Sequence, residues 1–157
     1  MPRAAPPALE LERHVLVWLT QVIGSRDRRL VQALKGYGVR VPEWRVLASL
    51  HARRRCSMSE LADLTTIDRT TLSRTVDRMQ HAGWLVRLSD SEDMRVTRLA
   101  LTAAGGKLFA RIWPAVERLN RAAVADLPEA AVDMLRWTLG RMKTNLDRDL
   151  AENDAVA

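Results

Sequence analysis

Cysteine is almost missing from this 157-residue chain: Cys56 stands alone, so no intrachain disulfide can form. Histidine is also scarce. His14, His51 and His81 lie far apart, and with one cysteine they make no metal-ligand spacing. The chain has no glycine-rich phosphate loop and no nucleophile and base at a motif spacing, which argues against an enzyme. No apolar run approaches the roughly 18 residues that a membrane span requires. The opening Met1-Pro2-Arg3-Ala4-Ala5-Pro6-Pro7 lacks the apolar stretch of a secretory signal. A cytoplasmic protein without cofactor or metal is the expectation. Tyrosine and phenylalanine occur once each, yet there are five tryptophans, at Trp18, Trp44, Trp84, Trp113 and Trp137.

What is present is a core and an excess of positive charge. The apolar fraction of 47% suffices for a globular domain. The formal charge is +6, a balance that leans towards a polyanionic partner such as nucleic acid. The excess is concentrated. Nine cations (Arg26, Arg28, Arg29, Lys35, Arg40, Arg45, Arg53, Arg54 and Arg55) face only Asp27 and Glu43, whereas Asp147, Asp149, Glu152 and Asp154 crowd the other end.

Residues 1–8 are rich in Pro and Ala and read as a disordered arm. From Leu9 to about Lys35, Leu11, Val15, Trp18, Leu19, Val22, Ile23, Leu30 and Leu34 recur mostly at three or four residues, the period of an amphipathic helix. Gly36 and Gly38 end it. Pro42 opens a second helix carrying Trp44, Leu47, Ala48 and Leu50, followed by a basic turn at Arg53-Arg54-Arg55. Ser57-x-x-Glu60 is a capping box before Leu61, Ala62 and Leu64. Asp68 is a good N-cap for a helix that buries Leu72, Val76 and Met79 and stops at Gly83.

The period then changes. The runs 84–88 and 96–101 are strand-like and flank a polar loop at 89–93, the pattern of a β-hairpin. Thr102 caps a further helix with Leu108, Ile112, Val116 and Leu119. Pro128 opens a last one, along which Val132, Leu135, Leu139, Met142, Leu146 and Leu150 recur. The expected fold is mostly α with a small antiparallel β-hairpin.

Two short helices joined by Thr65-Thr66-Ile67 and followed by a hairpin form a winged helix-turn-helix pattern. Its second helix must show polar side chains to a major groove while its back packs on the core. The segment 68–83 divides in that way. The candidate DNA contacts are Ser57, Arg69, Thr70, Thr71, Ser73, Arg74 and Arg78, with Asp93, Arg95 and Arg98 from the hairpin. Arg74 suits a guanine edge, and Asp93 is placed to hold Arg95 in one pose for a minor groove. A solvated helix face with Arg/Asp pairs is the plain alternative. From Thr66 to Arg98 six arginines meet five acids, so bulk attraction must come from elsewhere. Arg53-Arg54-Arg55 either touches phosphate or is simply solvated.

The stretch from Val41 to Gly105 resembles the multiple-antibiotic-resistance regulator (MarR) family. The resemblance is carried by 42–48 (Pro-Glu-Trp-Arg-Val-Leu-Ala), 59–62 (Ser-Glu-Leu-Ala), 67–74 (Ile-Asp-Arg-Thr-Thr-Leu-Ser-Arg) and 83–86 (Gly-Trp-Leu-Val), then Asp93-x-Arg95 and Leu101-Thr102-x-x-Gly105. It implies one domain over 9–157, with a DNA-binding unit at 40–101 and dimerisation helices at 9–36 and 102–152. It also implies Arg74 in the major groove and Arg95 at the wing tip.

Two long apolar stripes outside the reading unit would be unusual on a monomer. A homodimer through Leu11, Val15, Leu135, Leu139, Met142 and Leu146 is therefore expected, on a near-palindromic double-stranded DNA site. Packing of these helices within one chain is the alternative. The resemblance further implies release by a small aromatic or phenolic acid, for which Trp18 and Trp44 would form walls and His14, His51 or an arginine of residues 26–45 would pair a carboxylate. Cys56 lies in a basic neighbourhood, yet a structural role is the expectation. A winged-helix module for protein or RNA, and a ligand-independent regulator or activator, are the competing readings.

Overall fold

The computed structural model describes residues 10–89 and 97–154. After a 3-10 turn at Leu11–Arg13, the first unit runs α1 (Val15–Lys35), α2 (Val41–Arg53), β1 (Arg55–Cys56), α3 (Met58–Thr65), α4 (Arg69–His81), β2 (Leu85–Ser89) and β3 (Thr97–Leu101). It closes within α5 (Ala103–Ala122), and the second unit, from Asn120 on, holds α6 (Glu129–Asp154).

Local chemistry sets most of the boundaries. Ser57 Oγ accepts from the Glu60 N–H at 3.2 Å while Glu60 Oε2 accepts from the Ser57 N–H at 2.6 Å, completing the expected capping box. Asp68 Oδ1 accepts from the Thr71 N–H at 2.9 Å. Thr66, at φ 52°, makes the left-handed reversal between α3 and α4. At α2 only one half of such a box is made, and the usual cap residues do not announce it: the Arg40 N–H donates to Glu43 Oε2 at 2.7 Å, while an arginine side chain has no acceptor to offer in return.

The core of the first unit gathers Leu30 and Leu34 of α1, Trp44, Val46, Leu47 and Leu50 of α2, and Leu61 of α3. Leu72, Val76 and Met79 of α4 join them with Leu85, Leu99 and the α5 residues Leu108, Phe109, Ile112 and Val116. The helix periodicities are thus confirmed for α2 to α5. Phe109 and Thr75 are buried too, although neither stands out in the sequence.

Two features differ from expectation. The hairpin has a third strand: β1 pairs antiparallel with β3, Arg55 opposite Ala100 and Cys56 opposite Leu99, giving the order β1-β3-β2. A two-residue strand is too short for any alternation to register in sequence. The reversal that feeds it is at Arg54, φ 65°, where no glycine announces a turn. The apolar stripe of α1 is also buried only at its C-terminal end. Val15, Leu16, Trp18, Val22 and Ile23 are each more than half exposed in the single chain.

In the second unit, α6 carries its own unpartnered apolar residues. Met134, Leu135, Trp137, Leu139, Leu146 and Leu150 are all exposed. Among the described residues, no helix is long and apolar enough to cross a membrane.

Candidate nucleic-acid interface

The face of α4 is decided by what its other side buries. Leu72, Thr75, Val76 and Met79 point into the core, and the Thr75 hydroxyl is satisfied by donating to the Thr71 carbonyl at 2.7 Å. Arg69, Thr70, Thr71, Ser73 and Arg74 are left exposed on the outer face. Arg74 has no hydrogen-bond or ion-pair partner among the described residues, so its five N–H donors are available to an incoming acceptor.

Not every candidate is arranged this way. Ser57 uses its hydroxyl to cap α3. Arg78 turns back to α2, where its Nε donates to Glu43 Oε1 at 2.5 Å. Glu43 is almost fully buried, and its other oxygen holds the Arg40 N–H, so both carboxylate oxygens are occupied. The expectation that Arg78 stands free for DNA therefore gives way to an anchoring contact, made 35 positions away in sequence. Arg98 reaches Glu60 at 2.7 Å. Asp93 and Arg95 lie outside the described residues.

Because the Arg78 guanidinium is itself about two-fifths exposed, the contact is partly screened. Arg78→Ala is still expected to cost about 2 kcal/mol in urea unfolding, since the buried carboxylate loses a charged donor. Wild-type stability in that variant would show that water replaces the guanidinium at no cost.

Similar pairing uses up part of the basic segment. Asp27 accepts from Arg26 at 3.0 Å and from Arg45 at 3.2 Å, and Arg45 also reaches the Thr65 carbonyl at 3.4 Å, tying α1, α2 and α3 together. Arg53, Arg54 and Arg55 remain exposed, with no ion-pair partner among the described residues. The two capping carboxylates lie below their usual pKa range. The Ser57 backbone N–H, donating to its carboxylate, lowers Glu60, helped by the Ser57 side chain and by Arg98, and the bond from the Thr71 N–H lowers Asp68.

A cavity of about 460 Å³ opens beside this surface, lined by Arg53, Arg55, Cys56, Glu60, Asp63 and Leu64. Burial, followed by the charge of Glu60, pushes the Cys56 thiol up, against the opposing pull of Arg53 and Arg98. The side chain is 2% exposed, which fits a structural role better than a reactive one.

The four candidate effector residues fall into two groups. His14 is the exposed N-cap of α1, and Trp18 lies one turn on, half exposed. Trp44 and His51 meet instead at Phe109. Trp44 is buried with its ring parallel to Phe109 at 5.4 Å, and His51 stacks on Phe109 at 3.8 Å. Trp113 extends the stack from the same ring at 5.8 Å. Phe109 and Trp113 were not legible as neighbours of Trp44 because they lie more than 50 positions from it. Their spacing of four on one helix was the only signal.

A model of the MarR family matches residues 39–97. The chain is similar to the HTH-type transcriptional repressor IacR of Pseudomonas putida, 29% identical over 130 residues, which cover 83% of this chain and 78% of that protein. It is 28% identical over 144 residues to the HTH-type transcriptional regulator PecS of Dickeya dadantii, covering 89% of this chain and 87% of the other. Among solved structures, a MarR family transcriptional regulator from Silicibacter pomeroyi superposes with a TM-score of 0.81 at 26% identity, covering 87% of this chain and 91% of that one.

Proposed function

The chain belongs to the MarR family of DNA-binding transcriptional regulators, and from that premise we propose that it is a homodimeric repressor which binds a near-palindromic operator and leaves it when a small aromatic acid binds. The observation that carries the DNA reading is the outer face of α4. An unpaired Arg74 stands there among exposed Thr70, Thr71 and Ser73, over a back of buried Leu72, Val76 and Met79. Threonine and serine hydroxyls can serve bases or phosphates, and a guanidinium can bind a guanine edge bidentately. The exposed Arg53-Arg54-Arg55 run would add phosphate attraction, and with it salt dependence. Arg95, which lies with Asp93 outside the described residues, is the proposed minor-groove contact.

Repression as the sense of regulation is supported by the likeness to IacR, a transcriptional repressor. The test of the reading is a duplex selected by the full-length protein from random-sequence DNA. Arg74→Ala is expected to weaken that duplex by about 1–3 kcal/mol and to relax base preference at one position of each half-site. Unchanged affinity and preference would remove Arg74 from the interface.

The effector part rests on the aromatic side chains Trp18 of α1, Trp44 of α2 and Phe109 and Trp113 of α5. Binding of a planar acid near Trp44, Trp113 or Trp18 should quench tryptophan emission and lower affinity for the selected duplex in parallel. A flat fluorescence response across a panel of benzoic and phenolic acids, with DNA binding undisturbed, would leave a ligand-independent regulator.

A further inference from the structure

We infer that two ion pairs, Arg87 with Asp77 and Arg98 with Glu60, clasp the wing to the reading helices and set its angle on DNA, so that these four side chains are positioning residues for sequence-specific binding. The inference rests on the DNA-binding reading above. Arg87 of β2 donates to Asp77 Oδ1 of α4 at 2.6 Å, and Arg98 of β3 donates to Glu60 Oε2 of α3 at 2.7 Å. Each strand of the wing is therefore tied to a different helix of the helix-turn-helix.

The strand register shows why two ties are needed. Arg87 lies opposite Leu99, and Arg98 opposite Leu88. Cross-strand partners share a face and successive residues alternate, so the two arginines leave the ribbon from opposite faces. One tie would let the ribbon rock about it; a tie on each face opposes rocking both ways. Apolar support ends early, because Leu85 and Leu99 are buried while Val86, Arg87, Ser89 and Thr97 are exposed. The ion pairs extend that support outward along the strands.

The charges also need such an explanation. Asp77 is exposed on the outer half of α4, where a carboxylate would repel phosphate, and it is a poor DNA contact but a good guanidinium acceptor. Glu60 already closes the α3 capping box through the same oxygen that takes Arg98, so its position is fixed before the wing arrives. All four side chains are between about a third and just over half exposed. Pairs this exposed add little to overall stability, so their effect should appear in geometry rather than in unfolding.

Charge and geometry make opposite predictions, which gives the test. Fluorescence anisotropy of the full-length protein would be read on the selected duplex and on an unrelated duplex of equal length, across a range of KCl. Asp77→Asn removes a negative charge, yet it is expected to weaken the selected duplex about tenfold while leaving the unrelated one as tight or tighter. Arg87→Gln should weaken the selected duplex by a similar factor, with the wild-type salt slope, and the double variant should be no worse than either single one. Glu60→Gln and Arg98→Gln should repeat the pattern. Asp77→Asn binding the selected duplex as tightly as wild type, or Arg87→Gln weakening both duplexes alike with a salt slope lower by about one, would overturn the inference alone. A wild-type protein that enriches no duplex would overturn the DNA-binding reading and this inference with it.

Discussion

Gly105→Ala is expected to lower stability by about 3 kcal/mol or more, because Gly105 alone among the glycines has no room for a Cβ. A Cβ built on Gly105 would sit 2.0 Å from the Trp84 carbonyl oxygen and 3.0 Å from its carbon. The neighbour is backbone, so no rotamer change can relieve the contact. That carbonyl is also held in place, because it accepts from the Thr102 N–H at 3.1 Å. Thr102 locks the same corner twice more: its hydroxyl donates to the Gly83 carbonyl at 2.6 Å and accepts from the Gly105 N–H at 3.0 Å. The first turn of α5 and the start of β2 are thus pressed together at a point where only hydrogen fits.

Gly106 is the internal control. Nothing lies within 4 Å of a Cβ there, so Gly106→Ala should stabilise by about 0.5–1 kcal/mol through helix propensity and the unfolded state. Urea unfolding of both variants at one protein concentration, to hold any association constant, would separate the two. Equal midpoints for Gly105→Ala and Gly106→Ala would show that α5 can move off Trp84 freely.

The second large effect concerns assembly. On the dimer proposed above, Leu135→Glu together with Leu139→Glu is expected to yield a monomer and to weaken binding of the selected duplex by about a hundredfold or more. The reason is that two half-sites held in one molecule bind with an avidity that a lone reading unit lacks. Leu135 and Leu139 are one turn apart on α6 and both are exposed, with Met134, Trp137, Leu146 and Leu150 exposed beside or beyond them. Leu11 of the 3-10 turn and Val15, Trp18, Val22 and Ile23 of α1 are likewise uncovered. Apolar area on this scale is unusual on the surface of a monomer. Carboxylates at 135 and 139 would leave charge unpaired in an apolar interface. Light scattering on the eluted protein would measure the mass, and anisotropy on the selected duplex the affinity. A variant of unchanged mass and affinity would place the interface elsewhere.

Where the physics is local, the sequence was sufficient. The Ser57 box, the Asp68 cap, the stop at Gly83 and the Thr102 cap depend on residues within a few positions of one another, and so does the helical period of α2 to α5. These determined the order of the helices and the hairpin, and they bring Arg74 to the outer face of α4 without reference to any tertiary contact. Tertiary structure decided what depends on residues distant along the chain. It turned Arg78 from a candidate DNA contact into the partner of buried Glu43, and it gave Arg98 and Arg87 acids to hold. It drew Arg55 and Cys56 into a third strand and joined Trp44 to Phe109. It also left the α1 stripe half uncovered, because periodicity marks which face of a helix is apolar and not what will cover it. An arginine reads identically in a sequence whether it is free or paired. Only the fold brings the carboxylate that makes the difference.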